Sequence, residues 1–132
     1  MAKNSKILVV DDEADVRESI AAFLGNAGFA SVDTASGVDD ALSKILKKGY
    51  DLVVLDLMMP KKSGWGLLEE LRARKIKIRV LVASAIGLPD VVRNDLKGKY
   101  PAACVDFLSK TNLAEQIEDM INTLLKVPAG VV

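Results

Sequence analysis

The amino-acid sequence predicts an α/β fold: a parallel sheet with helices on both faces. Three short runs, Ile7–Val10, Leu52–Leu55 and Val80–Ala83, are apolar without alternation and rich in β-branched residues. That is the pattern of strands buried on both faces. Segments with apolar residues at helical spacing separate and follow these runs. Strand–helix alternation of this kind, repeated five times, builds a parallel sheet through crossover connections.

The elements follow in order. After the first strand, Val16, Ile20, Phe23, Leu24 and Ala27 fall on one helical stripe, and Gly28 stands where a helix stops. Ala30–Thr34 is a second, less apolar strand. Val38, Ala41, Leu42, Ile45 and Leu46 repeat the helical pattern, with Ser36 as N-cap and Gly49 as stop. Leu52–Leu55 leads to a third stripe at Leu67, Leu68 and Leu71. Beyond Val80–Ala83, Pro89 suits the first turn of a helix over 89–97, with Val91, Val92 and Leu96 apolar. Ala103–Leu108 is the fifth strand, and Leu113, Ile117, Met120, Ile121 and Leu124 mark the last helix. No linker or repeat divides the chain, so residues 1–132 read as one domain, with its core at about 5–126 and a fraying tail at 127–132.

Composition excludes several classes. Eighteen basic and eighteen acidic side chains cancel, which gives no electrostatic footprint for nucleic acid. Cys104 is the lone cysteine, so an internal disulfide and a thiolate zinc site are both excluded, in keeping with a reduced cytoplasm. The chain has no histidine, hence no imidazole base, ligand or nucleophile of its own. After the basic start, the four apolar residues Ile7–Val10 are too few for a signal-peptide core or a membrane span.

Open parallel sheets gather their functional groups at the carboxyl ends of the strands. There the sequence puts Asp11, Asp12 and Glu13 after the first strand, Asp56 at the end of the third, Ser84 at the end of the fourth and Ser109-Lys110 at the end of the fifth. Taken singly, each has a plainer reading as a turn residue, a helix cap or a solvated terminus. Together they bring carboxylates, a hydroxyl and an ammonium to one rim. Clustered carboxylates repel, and a hard, oxygen-preferring cation such as Mg²⁺ relieves them where imidazole and thiolate are lacking. A cation, a lysine, a hydroxyl and a carboxylate left to attack suit phosphoryl transfer, which needs in-line positioning and positive charge around the moving oxygens.

The motifs Ile-Leu-Val-Val-Asp-Asp-Glu (7–13), Asp-Leu-Val-Val-Leu-Asp-Leu-Met-Met-Pro-Lys-Lys-Ser-Gly (51–64), Val-Ala-Ser-Ala (82–85) and Asp-Phe-Leu-Ser-Lys (106–110) resemble the receiver domain of bacterial two-component response regulators, the CheY-like family. The spacing of Asp56, Pro60 and Gly64 is the most specific part of the likeness. The resemblance implies a flavodoxin-like, doubly wound sheet of strand order 2-1-3-4-5 with five helices. It implies that Asp56 takes phosphate from the phosphohistidine of a sensor histidine kinase or phosphotransfer protein. Asp12 and Asp56 would bind Mg²⁺ (or Mn²⁺) directly with the backbone carbonyl of Met58, and Asp11 through water. Lys110 and Ser84 would contact the phosphoryl group, and Ser84 with Phe107 would form the switch, although Phe107 also reads as plain core.

By the same resemblance the chain is a signalling module that assists its own phosphorylation and dephosphorylation, not an enzyme with a separate substrate. Its output surface would be the fourth helix, fifth strand and fifth helix, acting on a downstream effector or on a C-terminal output domain beyond Val132. The expected setting is cytoplasmic, off the membrane, without direct nucleic-acid contact, as a monomer or a phosphorylation-dependent dimer. Three departures stand out: Thr111 replaces the proline that often follows the lysine, Lys99–Cys104 replaces a Gly-Ala turn, and apolar Met58 and Ile86 flank the site, which predicts slow loss of phosphate. A haloacid-dehalogenase-type phosphatase is the alternative from another class, but Asp11-Asp12-Glu13 lacks its Asp-x-Asp pattern. An FMN carrier shares the fold, but the acid cluster would repel its phosphate.

Overall fold

The computed structural model describes residues 4–56, 64–76, 78–84 and 104–109. In chain order they form β1 (Lys6–Val10), α1 (Ala14–Asn26), β2 (Ser31–Ala35), α2 (Val38–Lys47), β3 (Leu52–Asp56), α3 (Gly64–Ala73), β4 (Arg79–Ser84) and β5 (Cys104–Ser109). The strands make one sheet in the order β2-β1-β3-β4-β5, every pair parallel. The expected strand order is therefore observed. The expected fourth and fifth helices lie outside the described residues.

The unbroken apolar runs have a direct physical cause. Successive side chains of a strand point to opposite faces, and here both faces are covered. Leu8 and Val10 of β1, Val53 and Leu55 of β3, and Val80 and Val82 of β4 pack with Val38, Ala41 and Ile45 of α2 and Leu67, Leu68 and Leu71 of α3. Their neighbours Ile7, Val9, Leu52, Val54 and Leu81 join Ile20 and Leu24 of α1 and Phe29 on the other face. Two cores share one sheet, so a polar residue in the middle of β1 or β3 would be buried whichever way it pointed.

Local chemistry sets the helix ends. Gly28, at φ 102°, closes α1 in the left-handed conformation that glycine adopts without penalty. The Gly28 N–H donates to the Gly25 carbonyl and the Phe29 N–H to the Leu24 carbonyl, and both Leu24 and Phe29 are buried. These bonds and the apolar pair make a Schellman motif. α3 ends with the same bond pattern, Lys75 to Arg72 and Ile76 to Leu71, with Lys75 in the left-handed position at φ 56°.

The start of α2 differs from the sequence expectation. Gly37, not Ser36, is the N-cap, and no side chain caps it. Instead the Asp40 carboxylate reaches back to accept the Ser36 N–H, one residue before the N-cap, at 3.1 Å. An acid in the first turn also meets the positive end of the helix dipole. At the other end α2 stops at Lys47, and Lys48 is already extended, so Gly49 plays no part in the cap.

β2 lies at the edge of the sheet and pairs only with β1. The ladder continues one step through the Asp11 N–H to the Ala35 carbonyl. The Thr34 carbonyl instead accepts from the Lys44 ammonium on α2, which also sits 3.5 Å from Asp40. At the amino ends of β1 and β3, the Lys6 N–H donates to the Asp51 carboxylate and the Asp51 N–H to the Lys6 carbonyl.

Candidate functional site

β1 and β3 run side by side with Val10 opposite Leu55, so Asp11 and Asp56 leave the sheet together at its carboxyl end. Both are buried, at 1% and 2% exposed. Asp12 follows in the loop. One carboxylate oxygen from each of Asp11, Asp12 and Asp56 lies within 4.8 Å of the others. Two ionised carboxylates at that separation repel by roughly 3 kcal/mol at an effective dielectric of about 20. Positive charge placed beside such a cluster relieves that repulsion.

Hydrogen bonds fix the loop that carries two of these acids. The Asp11 carboxylate accepts the Glu13 N–H at 3.0 Å, a turn closed by a side chain two residues back. The Arg17 guanidinium donates to the Asp11 carbonyl at 2.8 Å. Asp12 Oδ1 is buried and has no hydrogen-bond partner among the described residues. Leaving a buried acceptor unsatisfied costs about 1–3 kcal/mol, more if charged, so the donor set fits a hard cation bound by oxygen.

The expected site residues divide into three groups. Asp11, Asp12 and Asp56 are brought together. Ser84 is the last residue of β4, paired with Ser109 at the same carboxyl rim, and Phe107 lies opposite Val82 in β5; for both the description covers the backbone alone. Met58, Ile86, Lys110 and Thr111 lie outside the described residues. Sequence reasoning missed Arg17. Its only signal is an arginine on the first turn of a helix that starts from the acid loop.

A second charged group occupies the edge of the sheet, where Asp33, Thr34, Lys44, Lys47, Lys48 and Tyr50 line an open depression. The Asp33 carboxylate accepts the Tyr50 hydroxyl at 2.6 Å and the Lys48 ammonium at 2.9 Å. The Tyr50 hydroxyl, then Lys48, hold the Asp33 carboxyl below the usual range. Burial, then Asp33, push the Tyr50 hydroxyl upward. No helix among the described residues is long and apolar enough to cross a membrane.

An open, doubly wound sheet with a carboxylate cluster at the ends of β1 and β3 defines the class of receiver folds. The chain belongs to the response regulator receiver domain family, whose model matches residues 7–122. It is 35% identical over 127 residues to Response regulator Rre1 of Synechocystis, covering 95% of this chain and 53% of that protein. With the two-component response regulator PhoP of Pseudomonas aeruginosa it shares 32%, over 96% of this chain and 54% of that one. The chain thus spans about half the length of these curated relatives. Response regulator TrrA of Thermotoga maritima, solved in complex with Mg²⁺ and BeF, superposes with a TM-score of 0.76 at 31% identity, over 91% of this chain and 98% of that one. The Vibrio cholerae chemotaxis protein CheY4, at 23% identity and a TM-score of 0.79 over 92% and 98% of the two chains, shares the fold. The chain is a receiver domain of two-component signal transduction, a phosphate-accepting module. Nothing in these likenesses supports a haloacid-dehalogenase-type phosphatase.

Proposed function

We propose that Asp56 is the phosphoacceptor and that Asp12 and Asp56 bind a divalent cation directly, Mg²⁺ or Mn²⁺, with Asp11 acting through water. The observation that carries this reading is the convergence of the Asp11, Asp12 and Asp56 carboxylates, with Asp12 Oδ1 buried and unpartnered among the described residues. The backbone carbonyl of Met58 completes the ligand set, and Lys110 and Ser84 contact the phosphoryl group. Residues 1–132 act as one domain.

An Asp56 carboxylate oxygen attacks phosphorus in line. A P–O bond forms as the P–N bond of the donor phosphohistidine breaks, and the imidazole leaves with the electron pair and takes up a proton. The cation, when bound, neutralises charge on the transferring oxygens. Asp11 and Asp12 hold it, and Lys110 supplies a further positive charge. Afterwards Ser84 donates its hydroxyl to a phosphoryl oxygen, and Phe107 moves with it to alter the surface of the fourth helix, β5 and the fifth helix. The donor is a sensor histidine kinase or phosphotransfer protein in the cytoplasm. The target is an effector protein or an output domain attached to this one.

The test is incubation with acetyl phosphate and Mg²⁺, read by intact mass. The wild-type chain is expected to gain one phosphoryl group, and Asp56→Asn none. Persistent modification in Asp56→Asn would overturn the assignment, as would labelling of the wild type that survives excess EDTA undiminished.

A further inference from the structure

Arg17 is charged, half-buried and one turn away from three acids, yet it pairs with no carboxylate among the described residues. Its guanidinium is directed to a backbone oxygen, the Asp11 carbonyl, at 2.8 Å. That carbonyl belongs to the peptide joining Asp11 to Asp12, so its orientation sets the backbone angles on which the Asp12 side chain is mounted.

The rest of Asp11 is held as firmly. Its N–H donates to Ala35 at 3.2 Å, and its carboxylate accepts the Glu13 N–H at 3.0 Å. Glu13, the N-cap of α1, makes no side-chain cap hydrogen bond. The Arg17 N–H closes the first helical bond onto the Glu13 carbonyl at 2.9 Å. One arginine therefore ties the first turn of α1 to the peptide plane between the two acids.

We infer that Arg17 is a positioning residue for the cation site: by holding the Asp11 carbonyl it keeps Asp12 Oδ1 aimed inward and unpartnered, ready for a metal. An unpinned Asp11–Asp12 peptide could rotate and let the Asp12 carboxylate find water or a backbone N–H. The choice of a carbonyl as partner also matters. An arginine bonded to the carboxylates would compete with the incoming ion, whereas this one spends its bond on a backbone carbonyl.

The inference rests on the reading of Asp11, Asp12 and Asp56 as the cation site, and it makes a prediction of sign. By charge alone, removing a cationic side chain beside a metal site strengthens metal binding. As a positioning residue, its removal weakens binding, by about tenfold on the scale of other groups that orient metal ligands. Mg²⁺ affinity of the full chain is measured by titration calorimetry for wild type, Arg17→Ala, Arg17→Lys and Asp12→Asn, with circular dichroism confirming the fold of each. The expected result is weaker binding in Arg17→Ala and partial recovery in Arg17→Lys, which keeps a donor and the charge. Should Arg17→Ala not fold, Arg17→Lys still decides, because charge alone predicts affinity equal to wild type and a displaced donor predicts a loss. Unchanged or tighter binding in Arg17→Ala would overturn the inference while leaving the site intact. Wild type that fails to bind Mg²⁺, or Asp12→Asn that binds as well as wild type, would overturn the site reading and the inference with it.

Discussion

Asp33 and Asp12 are both aspartates beside the same sheet, and their surroundings treat negative charge in contrary ways. At the edge, Asp33 receives a phenol and an ammonium at 2.6 and 2.9 Å, and the Lys48 ammonium also lies 5.6 Å from the centre of the Tyr50 ring. Asp33, Tyr50, Lys48 and Lys44 there each have an opposite charge or a hydrogen-bond partner. At the carboxyl rim, Asp12 shares its space with two more acids and presents a buried oxygen that the described residues leave unpartnered. The first arrangement stabilises the fold with what the chain itself contains. The second leaves Asp12 Oδ1 without a partner among the described residues, which is how a binding site differs from a structural ion pair.

Metal linkage gives the largest expected effect on this contrast. With Mg²⁺ at a hundredfold excess over its dissociation constant, the unfolding free energy of wild type should rise by about 2.7 kcal/mol. Asp12→Asn should lose most of that gain in urea denaturation, and Asp33→Asn should keep it. An equal Mg²⁺ response in the two variants would erase the distinction between the regions.

Without metal the two substitutions should act in opposite directions. In EDTA, Asp12→Asn should stabilise the domain by about 1 kcal/mol, because neutralising one member of a like-charge cluster removes repulsion. Asp33→Asn should destabilise it by about 1 kcal/mol, the usual scale of a lost hydrogen bond at a half-exposed site. Equilibrium urea curves measure both, and losses of similar size would refute the contrast.

The smallest expected effect is the dependence on pH. The carboxyl of Asp33 is held below its ordinary value of 3.8 in the folded chain, so its contribution is present above about pH 4 and fades as pH falls through the folded value. Tyr50 is shifted upward from 10.0, so its contribution is present below about pH 10 and is lost as pH rises beyond it, where the unfolded phenol ionises first. The stability difference between wild type and Asp33→Asn should therefore shrink below pH 4. A difference that stays constant down to pH 2.5 would show that Asp33 acts through packing alone.

Much of this was legible in the sequence, for physical reasons that differ from place to place. β1, β3 and β4 announce themselves because two cores demand apolar residues at every inner position. β2 gave a fainter signal and lies at Ser31–Ala35, one residue later than expected. Paired on one side only, four of its five residues are partly exposed, and no unbroken apolar run is needed. The three acids were legible because the ends of parallel strands must converge. Ser36 was misread because its side-chain chemistry suits an N-cap, whereas the helix begins one residue later and Ser36 instead donates its own N–H to Asp40. The bond from Tyr50 to Asp33 joins residues 17 apart across a helix, and no local pattern encodes it. Arg17 was missed for the same reason: an arginine on an exposed-looking helix turn reads as solvated until its backbone acceptor is seen.

The lysine over the Thr34 carbonyl has a consequence for how these molecules meet one another. An edge strand offers unpaired backbone groups on which a neighbour's strand can template. Here the ammonium of Lys44 occupies one of those acceptors. An approaching strand would have to evict a hydrated charge before it could hydrogen-bond, and two such molecules meeting edge to edge would bring like charges face to face. The sheet can thus remain open on this side in a crowded solution without growing into a ribbon of stacked copies.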